Sequence, residues 1–279
     1  MTGVGRVFRR SGGQSVTALQ DINLSIPRGS AFGVVGESGS GKTTLMRIIA
    51  GLERAGSGQV LVNGTDITNL PERKLGALRK TLQVVFQDPM GSLDPRMRVG
   101  RIVAEPLVAQ GISATADRVA EVLAQVGLEP DIVERYPHQF SGGQRQRISI
   151  ARAIAPDPAV LIADEAVSAL DVTVRAQILD LIADIATRRS LTLIFVSHDL
   201  SVIRRVCDRV AVLQNGRLVE TGTAAQVYDH PQQGYTRRLL AAVPRLASSL
   251  QMARARAAAS APAAGTQVRP QLDDSKDDR

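Results

Sequence analysis

The stretch Gly36-Glu37-Ser38-Gly39-Ser40-Gly41-Lys42-Thr43-Thr44 decides the fold of this chain. It follows a short apolar run, Ala31–Val35, which is typical of a buried parallel strand. It leads into Leu45–Ala50, whose apolar spacing predicts a helix that ends at Gly51. A strand, a glycine-rich turn and a helix in this order form the context that a phosphate-binding loop requires.

The residue types within this stretch suit the binding of phosphate. Its glycines permit positive φ angles and leave room for phosphate oxygens beside the backbone. Successive backbone N–H groups at a helix start form a concave anion site. Lys42 supplies a compact charge for the β- and γ-phosphates, and the Thr43 hydroxyl suits Mg²⁺. The alternative is a chance match by a glycine-rich turn, which the flanking strand and helix argue against.

The stretch therefore predicts a site for a nucleoside triphosphate. We expect every residue of the stretch to contribute to nucleotide binding: Gly36, Glu37, Ser38, Gly39, Ser40, Gly41, Lys42, Thr43 and Thr44.

Charge and composition limit the classes of partner. The chain has 279 residues and a formal net charge of +7, which nucleic acid or an anionic membrane surface could explain. A solvated basic surface with an Arg-rich tail explains the charge equally well. The aromatic content is only 3%, which argues against base-stacking platforms for single strands. We therefore expect no nucleic-acid partner.

Cysteine usage and hydropathy bear on location. The single cysteine, Cys207, excludes an internal disulfide and any multi-cysteine metal site built from this chain, and it fits a reducing cytoplasm. Its apolar neighbours predict a buried helical thiol. No signal peptide is evident, and no run approaches the ~18 apolar residues that would span a bilayer. If a membrane matters, we expect the chain to work beside it.

Periodicity outlines the rest of the core. Ile22, Leu24 and Ile26 alternate with polar residues, which predicts a half-buried strand, and the dipeptides Asn63-Gly64 and Asn215-Gly216 predict hairpin turns. Further buried strands are predicted at Leu82–Phe86, Val160–Asp164 and Thr192–Val196. Between the last two, helix Val172–Arg189 completes the β-α-β order of a parallel sheet.

Two further segments complete the predicted organisation. Apolar residues recur at helical spacing between about 98 and 135, so we expect a helical subdomain at roughly 88–140, inserted into an α/β domain that covers residues 1–247. From residue 248 to 279 the composition has no apolar period and predicts a disordered tail.

A second group of residues points to nucleotide chemistry. Asp164 ends an apolar strand, where a carboxylate can hold Mg²⁺, and Glu165 could polarise an attacking water; the alternative is an exposed acidic turn. Ser141-Gly142-Gly143-Gln144 opens a helix and forms a second anion-binding surface, unless it is a plain serine cap. Two such surfaces in one chain suggest that two chains share each nucleotide.

Together these motifs resemble those of the nucleotide-binding subunit of an ATP-binding cassette (ABC) transporter. The resemblance covers roughly residues 15–222, and six motifs in family order make it highly specific. In chain order they are the phosphate-binding loop Gly36–Thr43, the Q-loop Gln87, the signature Ser141–Gln144, the carboxylate motif Val160–Asp164 with Glu165, the D-loop Ser168–Asp171 and the switch histidine His198.

The resemblance implies an α/β fold: a P-loop NTPase core with a mixed sheet, an N-terminal antiparallel β-subdomain and an inserted α-helical subdomain. It implies ATP and Mg²⁺ as cofactors, and Thr43, Gln87 and Asp164 as the residues that attend the metal. It assigns catalysis to Glu165, His198 and Lys42. Besides the phosphate-binding loop, the expected nucleotide-binding residues are Gln87, Ser141, Gly142, Gly143, Gln144 and Asp171.

The family also implies an assembly. Two ABC subunits, identical or different, would close head to tail around two MgATP, with Asp171 communicating across their interface. Partners would be two transmembrane permease subunits and, indirectly, an extracytoplasmic solute-binding protein. The chain would lie peripherally at the cytoplasmic face of the cell membrane.

Finer similarity points to the importer branch that handles oligopeptides, dipeptides or nickel. The segments that carry this similarity are Val84–Pro89, Ser92–Met97, Arg135–Phe140 and His230-Pro231 with Tyr235–Pro244. An importer or exporter of another substrate is the alternative. A soluble ABC ATPase that acts on nucleic acid is a weaker one, because no coiled-coil or zinc module lies between Gln87 and Ser141.

Overall fold

The computed structural model describes residues 1–9 and 13–242, so the predicted tail at 248–279 lies outside the described residues. The strands are β1 (Thr2–Arg9), β2 (Ser15–Ile22), β3 (Ala31–Val35), β4 (Ser57–Gln59), β5 (Leu61–Val62), β6 (Thr65–Asp66), β7 (Leu82–Val85), β8 (Val160–Asp164), β9 (Thr192–Ser197), β10 (Arg209–Gln214) and β11 (Arg217–Thr223). The helices are α1 (Lys42–Ile49), α2 (Gly76–Thr81), α3 (Pro89–Ser92), α4 (Val99–Ala109), α5 (Ala116–Gln125), α6 (Gly142–Ile154), α7 (Val172–Arg188), α8 (Leu200–Val206), α9 (Ala224–Asp229) and α10 (Gly234–Ala241).

A six-stranded sheet forms the centre of the molecule, in the order β11-β10-β3-β9-β8-β7. Five of its strands run parallel, and only β11 pairs antiparallel, with β10. The register places Val35 opposite Ser197, and Asp164 opposite Val196. The carboxyl ends of β3, β9 and β8 therefore meet at one edge, where open parallel sheets bind their ligands.

The N-terminal part of the chain also forms antiparallel strands outside the central sheet. A three-stranded sheet has the order β2-β1-β4, and β5 and β6 form a hairpin. Its turn residues Asn63 and Gly64 have φ angles of 49° and 80°, so this hairpin prediction is confirmed. The second predicted hairpin, at Asn215-Gly216, joins β10 to β11 and is confirmed as well. The mixed sheet and the antiparallel strands establish the α/β class expected from the sequence.

The predicted strand across Ile22, Leu24 and Ile26 is wrong in its extent. Strand β2 ends at Ile22, which still pairs with Val4 of β1, and Asp21, with a φ of 51°, lies where the pairing register shifts. Leu24 keeps only an exchange of backbone hydrogen bonds with Met1, at 3.1 and 2.8 Å. Ile22 and Leu24 are nevertheless buried. The alternation of apolar residues therefore predicted their burial correctly, although strand pairing does not extend to Leu24.

Helices α3–α5 and two 3₁₀ turns, Pro130–Glu134 and Pro137–Gln139, occupy the chain between β7 and α6. The predicted apolar positions of α4 and α5 are buried, including Val103, Leu107 and Val122. They join the apolar cluster that contains α6 and α7. Helix α6 therefore packs against α4 and α5 on one side and contacts α7 as well.

Two further findings concern location and the thiol. Within residues 1–9 and 13–242, no helix has both the length and the apolar character to cross a bilayer. Cys207 directly follows α8, is 5% exposed, and has its thiol pKa raised by burial and by the nearby Asp208. The predicted buried thiol is therefore confirmed, one residue beyond the end of its helix.

Candidate nucleotide site

The phosphate-binding loop is held closely against neighbouring backbone. Gly36 has a φ of 157°, and a Cβ atom there would lie 2.2 Å from the carbonyl oxygen of Leu213. Gly41, the residue before α1, has a φ of 106°, and a Cβ atom there would lie 2.5 Å from the carbonyl oxygen of Ala18. Since backbone atoms cannot yield as a flexible side chain can, only glycine fits either position. The loop therefore packs tightly between β2 and the end of β10.

Lys42 is buried within this loop, with only 5% of its surface exposed. Its Nζ donates hydrogen bonds to the carbonyl oxygens of Gly36, at 2.7 Å, and Glu37, at 2.8 Å. Burial lowers the pKa of the ammonium, whereas the negative charges of Glu165, Asp164 and Glu37 oppose that shift. A cation thus lies beside the backbone that would surround a phosphate.

Asp164 ends β8 with 8% of its surface exposed. Burial and the neighbouring charge of Glu165 raise the pKa of this carboxyl to about 6, although Arg47 and Lys42 act in the opposite direction. Its Oδ1 atom is buried and has no hydrogen-bond partner among the described residues. A desolvated, unpaired carboxylate oxygen fits a hard cation such as Mg²⁺.

The protein would have to complete such a magnesium site with neutral groups. Among residues 1–9 and 13–242, no three His, Cys, Asp or Glu side chains cluster closely enough to hold a metal ion. Thr43, exposed in the first turn of α1, and Gln87, exposed after β7, offer a hydroxyl and an amide oxygen. Both are oxygen donors of the kind that Mg²⁺ accepts alongside phosphate oxygens.

Glu165 and His198 follow adjacent strands and contact each other. Glu165 has a φ of 47°, unusual for a residue with a Cβ, and its backbone N–H donates to the carbonyl oxygen of Val196 at 2.9 Å. This bond helps to hold the turn in which the carboxylate reaches His198. The Oε1 atom of Glu165 lies 3.1 Å from Nδ1 of His198.

A hydrogen-bonded path links Gln87 to the same turn. Its Nε2 donates to Oγ of Ser168 at 3.3 Å, and that hydroxyl donates to the carbonyl oxygen of Glu165 at 3.0 Å. The loops that follow β7, β8 and β9 thus bring Gln87, Glu165 and His198 together beside the phosphate-binding loop.

The signature segment lies elsewhere on the chain. Ser141 caps α6: its Oγ accepts from the Gln144 N–H at 3.3 Å, and Oε1 of Gln144 accepts from the Ser141 N–H at 3.0 Å. A Cβ atom at Gly143 would lie 2.5 Å from Val174, so the helix start packs on α7. No hydrogen bond or ion pair in the described part of the chain joins it to the phosphate-binding loop.

Asp171 has a local partner rather than a contact with the loop. Its carboxylate caps α7 by accepting from the backbone N–H groups of Thr173, at 3.1 Å, and Val174, at 3.0 Å. The side chain is otherwise exposed.

Sequence reasoning missed two residues that contact the site. Ser168, known only as part of the D-loop motif, bridges Gln87 and Glu165. Tyr235 accepts a hydrogen bond from the Glu37 N–H at 3.1 Å, across a separation of 198 residues. Tyr235 stands in the run that carries the importer-branch resemblance, which was the only available signal, and no periodicity could place it on the loop.

The fold and these residues define a phosphate-loop ATPase, and comparison with known proteins defines its family. The family model described as "ABC transporter" matches residues 19–168. A putative peptide import ATP-binding protein of Brucella ovis is 47% identical over 229 residues, covering 81% of this chain and 72% of that protein. The glutathione import ATP-binding protein GsiA of Salmonella paratyphi A is 48% identical over 234 residues, covering 83% of this chain and 38% of that protein.

Solved structures agree. The dimeric structure of MJ0796, a bacterial ABC transporter cassette, matches with a TM-score of 0.72 at 28% identity, covering 80% of this chain and 97% of that one. A post-hydrolysis state of the same cassette, bound to ADP and Pi, matches equally well. The chain belongs to the ABC transporter family. It is an ABC ATPase whose cofactors are ATP and Mg²⁺.

The raised pKa of Asp164 has a consequence for stability. Asp164→Asn is expected to raise the unfolding temperature of the nucleotide-free protein at pH 8, with a smaller gain at pH 5. The carboxyl pKa is about 6 when folded, against an ordinary value of 3.8, so folding favours the protonated form. The wild type therefore loses stability as pH rises from about 4 to about 6, and the asparagine variant escapes that loss.

Circular dichroism melts at both pH values without Mg²⁺ would measure this effect. Asp117→Asn, at an exposed position in the first turn of α5, is the control, and its unfolding temperature at pH 8 should stay close to that of wild type. An Asp164→Asn variant that is no more stable than wild type at pH 8 would contradict the claim that burial destabilises the charged form of Asp164.

Proposed function

We propose that this chain hydrolyses ATP to power the uptake of peptides, or of a similar small solute, through partner permeases. The observation that carries this proposal is 47% identity, over 81% of the chain, to relatives named as putative peptide import ATP-binding proteins. Closure of two ABC subunits around MgATP would change the conformation of two transmembrane permease subunits. An extracytoplasmic solute-binding protein would deliver the solute to them. The chain would sit peripherally at the cytoplasmic face of the cell membrane.

The proposed catalytic roles follow from the edge of the central sheet. The loop Gly36–Thr44 would bind the phosphates through backbone N–H groups other than that of Glu37, which donates to Tyr235. Lys42 would exchange the carbonyl oxygens of Gly36 and Glu37 for phosphate oxygens. Mg²⁺, when bound, neutralises charge on the β- and γ-phosphates. Thr43, Gln87 and Asp164 would hold it, the last through its unpaired Oδ1 atom.

Glu165 would orient the attacking water or accept its proton. Its carboxylate stays within 3.1 Å of His198, whose imidazole would contact the γ-phosphate and sense its loss. The backbone bond to Val196 and the hydroxyl of Ser168 support the turn that carries Glu165. A group held in this way needs little reorganisation when the water arrives.

A second chain would complete each site. The signature residues Ser141, Gly142 and Gln144 are exposed at the start of α6, where capping is already satisfied and free backbone N–H groups can face an anion. In the proposed head-to-tail pair they meet the γ-phosphate bound by the partner's loop, and Asp171 lies at the interface. The pair is a homodimer or a heterodimer. We assign residues 1–247 to this ATPase domain, with the helical subdomain inserted at roughly 88–140.

Glu165→Gln is expected to bind ATP with nearly unchanged affinity while hydrolysis falls by about two orders of magnitude or more. With hydrolysis stalled, ATP stays between two chains and an ATP-dependent dimer accumulates. Size-exclusion chromatography with light scattering, with and without MgATP, measures it; a heterodimer would need its second subunit present. Adding Ser141→Arg should abolish the dimer, because it places bulk and charge in the shared site. Undiminished hydrolysis by Glu165→Gln would remove that carboxylate from its proposed role.

The cargo proposal needs a cellular test. Cells that lack this chain should lose uptake of a radiolabelled tripeptide. The wild-type chain should restore the uptake, and the Glu165→Gln variant should not, although it is expressed equally. Uptake that is unaffected by the deletion would contradict peptide import and leave the ATPase assignment standing.

A further inference from the structure

Helix α10, near the C-terminal end of the described residues, contacts the phosphate-binding loop. The hydroxyl oxygen of Tyr235, in its first turn, accepts a hydrogen bond from the Glu37 backbone N–H at 3.1 Å. Tyr235 is 7% exposed, and its neighbour Thr236 is fully buried. The contact is therefore part of the packed interior rather than a chance meeting of surface groups.

The peptide group that Tyr235 contacts is the one that also contacts Lys42. The N–H of Glu37 and the C=O of Gly36 belong to the same peptide unit and point in opposite directions in a trans peptide. Nζ of Lys42 donates to that carbonyl oxygen at 2.7 Å. One peptide group is thus held at both ends, by a lysine on one side and a tyrosine hydroxyl on the other.

Helix α10 is itself anchored to the edge hairpin of the central sheet. The carboxylate of Glu220, on β11, accepts hydrogen bonds from the backbone N–H groups of Gln232, at 2.8 Å, and Gln233, at 3.1 Å. The same hairpin contacts the loop directly, because the Gly216 N–H donates to the carbonyl oxygen of Ser40 at 2.9 Å. The start of helix α10 and the loop are therefore both hydrogen-bonded to the β10–β11 hairpin.

We propose that Tyr235 is a positioning residue for nucleotide binding. This inference rests on the proposed transfer of Lys42 from loop carbonyls to phosphate oxygens. While Lys42 holds the Gly36 carbonyl, the Gly36–Glu37 peptide group has two side-chain contacts. When Lys42 moves to the phosphates, the Tyr235 hydroxyl is the side-chain contact that remains. The bound state depends on Tyr235 more than the free state does, so losing the hydroxyl weakens binding.

Tyr235→Phe tests this role, because it removes the hydroxyl and keeps the ring. The affinity of the full-length protein for MgADP, measured by titration calorimetry, should fall by up to about tenfold, since one whole neutral hydrogen bond is the upper limit for a contact that is also present in the free protein. The KM for ATP should rise by a similar factor, while kcat at saturating ATP stays within about twofold of wild type. A general loss of packing would not separate KM from kcat in this way.

Tyr228→Phe is the matched control. Tyr228, in α9, donates its hydroxyl to the backbone carbonyl of Leu200, so the substitution loses a similar bond away from the loop. Its MgADP affinity should equal that of wild type. Equal affinities for Tyr235→Phe and wild type would overturn the proposal, and so would equal losses in both tyrosine variants.

A second measurement keeps the proposal testable should Tyr235→Phe fail to fold. In the wild-type protein with saturating MgADP, the Glu37 amide should exchange slowly with deuterated solvent, and rapid exchange would overturn the role of Tyr235. A different result would contradict the phosphate-binding assignment itself: a Lys42→Ala variant that binds MgADP as tightly as wild type does.

Discussion

The register of the parallel strands is the constraint on which the site depends. Hydrogen bonding places β8 and β9 so that Asp164 faces Val196, and places β3 so that Val35 faces Ser197. The loops that carry the proposed phosphate, metal and water ligands begin at or just after these positions. A slip of one residue would move every side chain of a strand to its opposite face. Both faces of these strands are buried, so a slip would disrupt the side-chain packing on each face.

Packing at this edge also sets the electrostatics. A lysine and an aspartate, both more than nine-tenths buried by surface area, lie near each other without a direct ion pair. Burial lowers the pKa of Lys42 and raises that of Asp164, so each charge is less favourable than it would be in water. A phosphate and a divalent cation would compensate both at once. In the proposed site, MgATP would relieve this unfavourable arrangement, because its anion faces Lys42 and its cation faces Asp164.

Much of this site could be predicted from the sequence, because its parts are local patterns. The strand Val160–Asp164, the loop that starts at Gly36 and the capped helix start at Ser141 each occupy fewer than ten consecutive residues, and each appears where expected. Other features depend on tertiary contacts. The end of β2 at Ile22 is one of them, because the alternation through Leu24 and Ile26 reports burial and carries no information about which residues pair with β1.

Two side-chain contacts were beyond prediction for the same physical reason. The bond between Tyr235 and Glu37 joins residues 198 positions apart, through a helix whose position is set by Glu220. The link from Gln87 to Ser168 depends on which strands are neighbours in the sheet. Local periodicity carries no information about either contact. Only the resemblance to the ABC family, through the order of its motifs, assigned Gln87 and the D-loop to the site.

The central claim is that MgATP binds at the carboxyl edge of this sheet and draws Lys42 away from its loop carbonyls. A crystal structure of the Glu165→Gln variant with MgATP tests it most directly. The account predicts Nζ of Lys42 on phosphate oxygens, Mg²⁺ bonded to the Thr43 hydroxyl near Oδ1 of Asp164, and Ser141 of a second chain at the γ-phosphate. Phosphates bound elsewhere, or a Lys42 still bonded to the carbonyls of Gly36 and Glu37, would contradict it.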